Sequence, residues 1–324
     1  MKFDHILFPV DFSEHCREVN AEVEWLASRF GSRVTLLHVF EIPASWYGTG
    51  EAPLINPECL RAVAQSEEQR LKEYRLNLPE ERIERIIAEG GAAWHITNWA
   101  NEHDLDLIVM GTRGLGNVRG LLMGSVAAKV IHDASCPVWT DALLHPDAST
   151  IQRDYKNLVC AIDIDDEAVS VLRFTGALAR ELGATVHVVH AVPEAETRPA
   201  KYLDFDLHAY LMDSARVAIS KLQREAGTEF PVGIKASSIA NAVSDVAMQQ
   251  NADLVIIGRG KAQQTLGRLR THSYQIIRDA PCPVLSYLPA QEAPSVQPET
   301  QHASQKTGST KAAECQTAPV LRSA

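Results

Sequence analysis

The chain has 324 residues, 45% of them apolar, and a formal net charge of −10. That length suits about two domains with real cores, and the acidic balance argues against nucleic acid or an anionic membrane as a partner. No apolar run approaches the ~18 residues of a membrane span.

The opening MKFDHILFPVDF carries Asp4 and Asp11 around a short apolar stretch, so it reads as a first strand and not as a secretory leader. A helix is predicted over 14–30, with Val19, Val23, Leu26 and Phe30 at helical spacing. Strand 33–40 follows, then a polar-rich helix over 57–77, strand 84–90 and helix 93–103. The apolar run 105–111 reads as a buried strand, 124–134 as a helix and 136–140 as a fifth strand. Residues 141–155 read as a linker. Beyond it, strands are predicted near 157–162, 185–191, 232–237, 253–258 and 282–287. Helices are predicted near 166–182, 203–226, 239–250 and 270–280. Residues 289–324 are rich in Pro, Ser, Thr, Gln and Ala without apolar periodicity, which predicts a disordered tail.

The two runs of elements are copies of one unit. HILFPVDFSE matches NLVCAIDIDD, GSRVTLLHVF matches GATVHVVHAV, HDLDLIVMGTRG matches NADLVIIGRG, and IHDASCPVWT matches IRDAPCPVLS, in the same order. The offset is 152 between Asp11 and Asp163 but 146 between Cys136 and Cys282, so the second copy has lost residues internally. Alternating strands and helices imply an α/β fold: two tandem doubly wound, Rossmann-like, mainly parallel five-stranded sheets. Ligands of such sheets bind at the carboxyl ends of the strands, where the strand order reverses. Asp11, Val39 and Gly111 all lie at predicted strand ends.

Between the fourth strand and the next helix, Gly111, Gly114, Gly116, Gly120 and Gly124 fall close together. A strand, a glycine-rich loop and a helix start make a phosphate cradle. Unpaired N–H groups and the positive end of the helix dipole face the ligand, and glycines let the backbone approach or take positive φ. Ser125 is placed either to cap the helix or to give its hydroxyl to a phosphate or a metal-bound water. Arg113 and Arg119 bring charge to the loop. The Walker A spacing and the G-x-G-x-x-G spacing are both missing. The competing reading is a glycine-rich turn that only reverses the chain. For Asp11 the alternative is a residue that caps the helix from 14.

Gly111, two residues, Gly114, nine residues, then Gly124-Ser125 resembles the ATP-binding signature of the universal stress protein (UspA) family, as do ILFPVDFSE and ASCPVWT its first and last strands. The resemblance covers both copies. It implies a first domain over 1–142 that binds ATP, with Mg²⁺, and a second over 154–288. Pro9 and Asp11 would lie beside the adenosine, with Asp11 near the ribose or a metal-bound phosphate. Val39 would meet the adenine through its backbone. Met110, Gly111 and Gly114 would line the ribose and phosphates, and Gly124, Ser125 and Val126 would bind phosphates. The second copy departs from this pattern: Arg270 falls on Gly124, Thr271 on Ser125, Ala161 on Pro9, and only Arg259 separates Gly258 from Gly260. Its site is expected to be degenerate.

The resemblance implies a nucleotide-responsive regulatory module in stress survival. A slow ATPase or self-phosphorylating protein, and a scaffold that binds no nucleotide, are the alternatives. No dedicated base or nucleophile beyond Asp11 is visible, and efficient phosphoryl transfer needs more positioning groups. The two domains are expected to pair through CPVWT and CPVLS as an intramolecular pseudo-dimer, or two chains to form a homo-dimer. Six cysteines (Cys16, Cys59, Cys136, Cys160, Cys282, Cys315) without a CxxC pair read as reduced thiols of a cytoplasmic protein. His38 and His190 fall at matched positions but have no Cys or His neighbour in sequence, so they read as strand-end structural residues and not as metal ligands.

Overall fold

A computed structural model of the chain describes residues 2–42, 57–112, 123–141, 154–193, 207–259 and 269–289. The predicted tail and most of the linker lie outside them.

In the first half, β1 (His5–Pro9) is followed by α1 (Glu14–Glu18), α2 (Asn20–Phe30), β2 (Arg33–Phe40), α3 (Pro57–Glu73) and β3 (Ile83–Glu89). Then come α4 (Ala92–Glu102), β4 (Leu107–Gly111), α5 (Ser125–Asp133) and β5 (Val138–Asp141). The second half repeats the order with β6 (Asn157–Ala161), α6 (Ala168–Leu182), β7 (Thr185–Val192), α7 (Leu207–Ala226) and β8 (Val232–Ala236). It ends with α8 (Ile239–Gln249), β9 (Leu254–Gly258), α9 (Leu269–Asp279) and β10 (Val284–Tyr287). The helix predicted over 14–30 is interrupted at Val19, whose N–H turns back to the Cys16 carbonyl at 3.2 Å, a tightened i→i−3 bond.

Strands within each half run parallel, and side chains alternate between the two faces. Ile6, Phe8 and Val10 join one core with Val23 and Leu26 of α2, while Leu7, Ile108 and Val138 join another with Ile96 of α4 and Val130 of α5. Burial on both faces explains the unbroken apolar runs that the strands show in sequence.

The two five-stranded sheets do not stay separate. They form one ten-stranded sheet in the order β3-β2-β1-β4-β5-β10-β9-β6-β7-β8. The join is antiparallel, with Thr140 opposite Val284, Trp139 opposite Leu285 and Val138 opposite Ser286. Each fifth strand thereby covers the edge of the other, which otherwise presents unpaired backbone groups. Matched hydroxyls lock the seam: Thr140 Oγ1 donates to the Val284 carbonyl at 3.0 Å and Ser286 Oγ to the Val138 carbonyl at 3.2 Å. Tyr155 stands against Trp139 edge to face at 5.2 Å and donates its hydroxyl to the buried Glu22 at 2.6 Å. Among the described residues no helix is long and apolar enough to cross a membrane.

Candidate functional site

In the first half the strand order is β3-β2-β1-β4-β5, so the direction of winding reverses between β1 and β4. The carboxyl ends of these two strands bring Pro9 and Asp11 beside Met110 and Gly111, with Val39 one strand away on β2.

The exit from β1 is tied down in detail. The Val10 N–H donates to the Leu37 carbonyl at 2.9 Å, and His38 Nδ1 lies 2.7 Å from the Val10 carbonyl. His38 is therefore a clamp between β1 and β2. His190 repeats it in the second half, 3.0 Å from the Ile162 carbonyl, as the structural reading of these two residues expects. Asp11 Oδ1 accepts from the Ser13 N–H at 2.9 Å and the Ser13 hydroxyl at 2.6 Å. Ser13 Oγ accepts from the Cys16 N–H at 3.0 Å and is the N-cap of α1. Asp11 thus holds the capping residue and does not cap the helix itself. Its second oxygen has no partner among the described residues.

Phe12, between these two, has φ of 61°. Among the described residues the other non-glycine residues in this region are Asp104 and Asn251, types that tolerate it; a phenylalanine there is strained. Packing holds it in place: its ring lies 4.4 Å from His38 and 6.0 Å from Tyr74, with the Arg70 guanidinium 4.3 Å above. Strain of this kind concentrates where chains bind ligands.

At the end of β4, Met110 is buried and Gly111 half-buried. The Thr112 carbonyl accepts the Gly124 N–H at 2.8 Å and closes the base of the glycine loop. Arg113, Gly114, Gly116, Arg119 and Gly120 lie outside the described residues. Gly124 is the N-cap of α5 with φ −62° and ψ 146°, and among the described residues no side chain caps this helix. One of the two readings of Ser125 falls away here. Ser125 does not cap α5, because it is already the first helical residue and is exposed. Gly124 is not needed for a left-handed turn either, since its φ is open to any residue. What remains is the missing side chain at the mouth of the helix. The first helical bond runs from the Ala128 N–H to the Gly124 carbonyl at 2.9 Å. The N–H groups of Ser125, Val126 and Ala127 precede it and have no acceptor among the described residues.

The second half is built differently. Asp163 Oδ1 accepts from the Ile164 N–H at 2.8 Å, and Asp165 caps the following helix through the Glu167 and Ala168 N–H groups, both at 3.0 Å. A Cβ on Gly258 would come within 2.9 Å of Val171, so packing alone demands this glycine. Arg259 is buried and donates to carbonyls of the first half.

Among the described residues no group of three or more His, Cys, Asp or Glu is placed to hold a metal. Cys16 and Cys136 thiols are pushed up to about 11, and Cys160 and Cys282 to about 12, by burial. None is a poised nucleophile.

Comparison with known proteins places this architecture. The model of the universal stress protein family matches residues 2–140 and 154–287. A universal stress protein of Thermus aquaticus is 33% identical over 137 residues, 42% of this chain and 96% of that protein. Among solved structures, a universal stress protein from Archaeoglobus fulgidus shares the fold with a TM-score of 0.60 at 20% identity, covering 89% of this chain and 97% of the other. A universal stress protein of Archaeoglobus fulgidus solved in complex with dAMP is 25% identical, covering 41% of this chain and 98% of its own, with a TM-score of 0.31.

Proposed function

The chain belongs to the universal stress protein family, and from that premise we propose that it is an ATP-binding regulatory module with one working site, in its first half. The observation that carries this reading is the start of α5: three N–H groups without acceptors among the described residues, behind a glycine whose backbone does not require glycine, at the reversal of strand order. Such a helix start attracts phosphate through its N–H groups and its dipole. In this reading Gly124, Ser125 and Val126 receive the phosphates, and Gly111 and Gly114 give them room. Pro9, Val39 and Met110 border the adenosine. The residues fit an Mg²⁺-bound phosphate at one point, the Asp11 oxygen that has no partner among the described residues.

In this reading residues 1–142 bind nucleotide and 154–288 carry a degenerate site, a division that the two segments of the family match support; residues 289–324 lie beyond both. The protein acts in the cytoplasm, and its nucleotide state is read by partners during stress. Binding, not turnover, is the activity in this reading, because efficient phosphoryl transfer needs more positioning groups than the sequence displays beside Asp11. Nucleotide recovered unhydrolysed after long incubation supports this; steady phosphate release favours the ATPase alternative.

Replacing Ser125 with alanine is expected to weaken Mg-ATP binding by about 0.5–1.5 kcal/mol, the net worth of one hydrogen bond. Equilibrium titration measures it. Unchanged affinity would mean that the hydroxyl does not face the phosphates.

A further inference from the structure

Arg259 is a buried cation without a carboxylate partner among the described residues, and the first-half site does not use it. It follows Gly258 at the end of β9, where Thr112 follows Gly111 at the end of β4. Its guanidinium crosses into the first half. Nη1 donates to the Ile131 carbonyl at 2.7 Å and the Ala134 carbonyl at 2.9 Å, and Nη2 donates to the Cys136 carbonyl. These carbonyls belong to the last turn of α5 and the residues just beyond it. Carbonyls there lack helical donors and carry the negative end of the dipole. Burial lowers the guanidinium to about 10, which leaves it charged at neutral pH. Its own N–H is fixed on the Tyr287 carbonyl of β10 at 2.7 Å. Tyr274 of α9 adds a bond to the Ala128 carbonyl of α5 at 2.8 Å. The contact runs one way: Thr112, equally buried, makes no side-chain bond to the end of α9 among the described residues.

We propose that Arg259 is a positioning residue through which the second half sets the nucleotide affinity of the first. In this reading Arg259 holds α5 from the position where the first half turns into its ligand-binding loop. The inference rests on the assignment of the phosphates to the start of that helix. α5 has nine residues, so its ends are about 13 Å apart and it moves as one piece. Held at its carboxyl end, it keeps its N–H groups in register with Gly111 and Asp11. Phosphate and guanidinium sit at opposite poles of one dipole, so each favours the ordered helix that the other requires. The coupling is reciprocal, and bound nucleotide strengthens the hold on Arg259.

The test uses the full chain with Arg259→Met, Arg259→Lys and, as a control at the seam, Ser286→Ala. Without ligand, Arg259→Met speeds amide exchange in α5 and leaves β1 and β2 as they were. Titrated with Mg-ATP, it binds about 5- to 20-fold more weakly, in the lower range of coupling between sites. Arg259→Lys falls between it and the parent, and carries the test if the methionine variant does not fold. Ser286→Ala leaves affinity unchanged. Wild-type affinity in both Arg259 variants overturns the proposal, as does unchanged exchange in α5. A parent protein that takes up no ATP overturns the phosphate assignment instead, and the exchange measurement then reports separately whether Arg259 holds α5.

Discussion

Replacing Gly124 with valine removes ATP binding and leaves the fold intact. The two halves of this expectation have separate grounds. Gly124 has φ −62° and ψ 146°, an extended conformation that valine adopts readily, so the backbone has no reason to break. Its N–H to Thr112 and its carbonyl to Ala128 are both main-chain bonds that the substitution leaves in place. What changes is the mouth of α5, where a branched side chain now stands in front of the N–H groups that the proposed site offers to phosphate oxygens. Losing two charge-assisted bonds there costs about 3–6 kcal/mol, more than two orders of magnitude in affinity. Titration with Mg-ATP beside a melting curve separates the two effects. A folded Gly124→Val protein that binds like the parent would move the phosphates away from α5.

Truncating Trp139 to alanine has the largest expected effect on stability. The side chain is fully buried on β5, directly opposite Leu285 on β10, with Tyr155 packed against its ring. Removing it empties the seam where both halves meet, at a cost of about 3–5 kcal/mol. Because β5 and β10 belong to one sheet, both halves should lose stability together, in a single shifted transition by calorimetry. A variant that melts in two steps, with one half unmoved, would show that the seam does not couple them.

Much of this was legible in the sequence because it is periodic. Leu107, Ile108 and Val109 read as a buried strand since helices cover both faces of β4. The pairing of CPVWT with CPVLS was an expectation from the family resemblance, and the antiparallel join of β5 and β10 matches it. The union of two sheets into one follows from that pairing, yet it is a tertiary fact that no single window contains. Local conformation was less accessible. Ser125 looks like a cap, but the closing bond from Gly124 to Thr112 moves the cap one residue earlier. The strained Phe12 has no signature, since its left-handed φ is imposed by His38, Tyr74 and Arg70 from other elements. Arg259 is the sharpest case. In sequence it is the residue of a loop one position too short; only the packed molecule shows that its charge is used on the carbonyls of α5, over 120 residues earlier in the chain.

The central claim is an inequality between two copies of one fold, and calorimetric titration of Mg-ATP into the intact chain tests it most directly. The first copy keeps Gly111, Gly114, Gly124 and Ser125 at full spacing. The second aligns Arg270 with Gly124 and spends the buried Arg259 on carbonyls of α5. A surface arginine paired with phosphate is worth only about 0–1 kcal/mol. The expected stoichiometry is one ATP per chain. Two equivalents bound with similar affinity, or none, would contradict it.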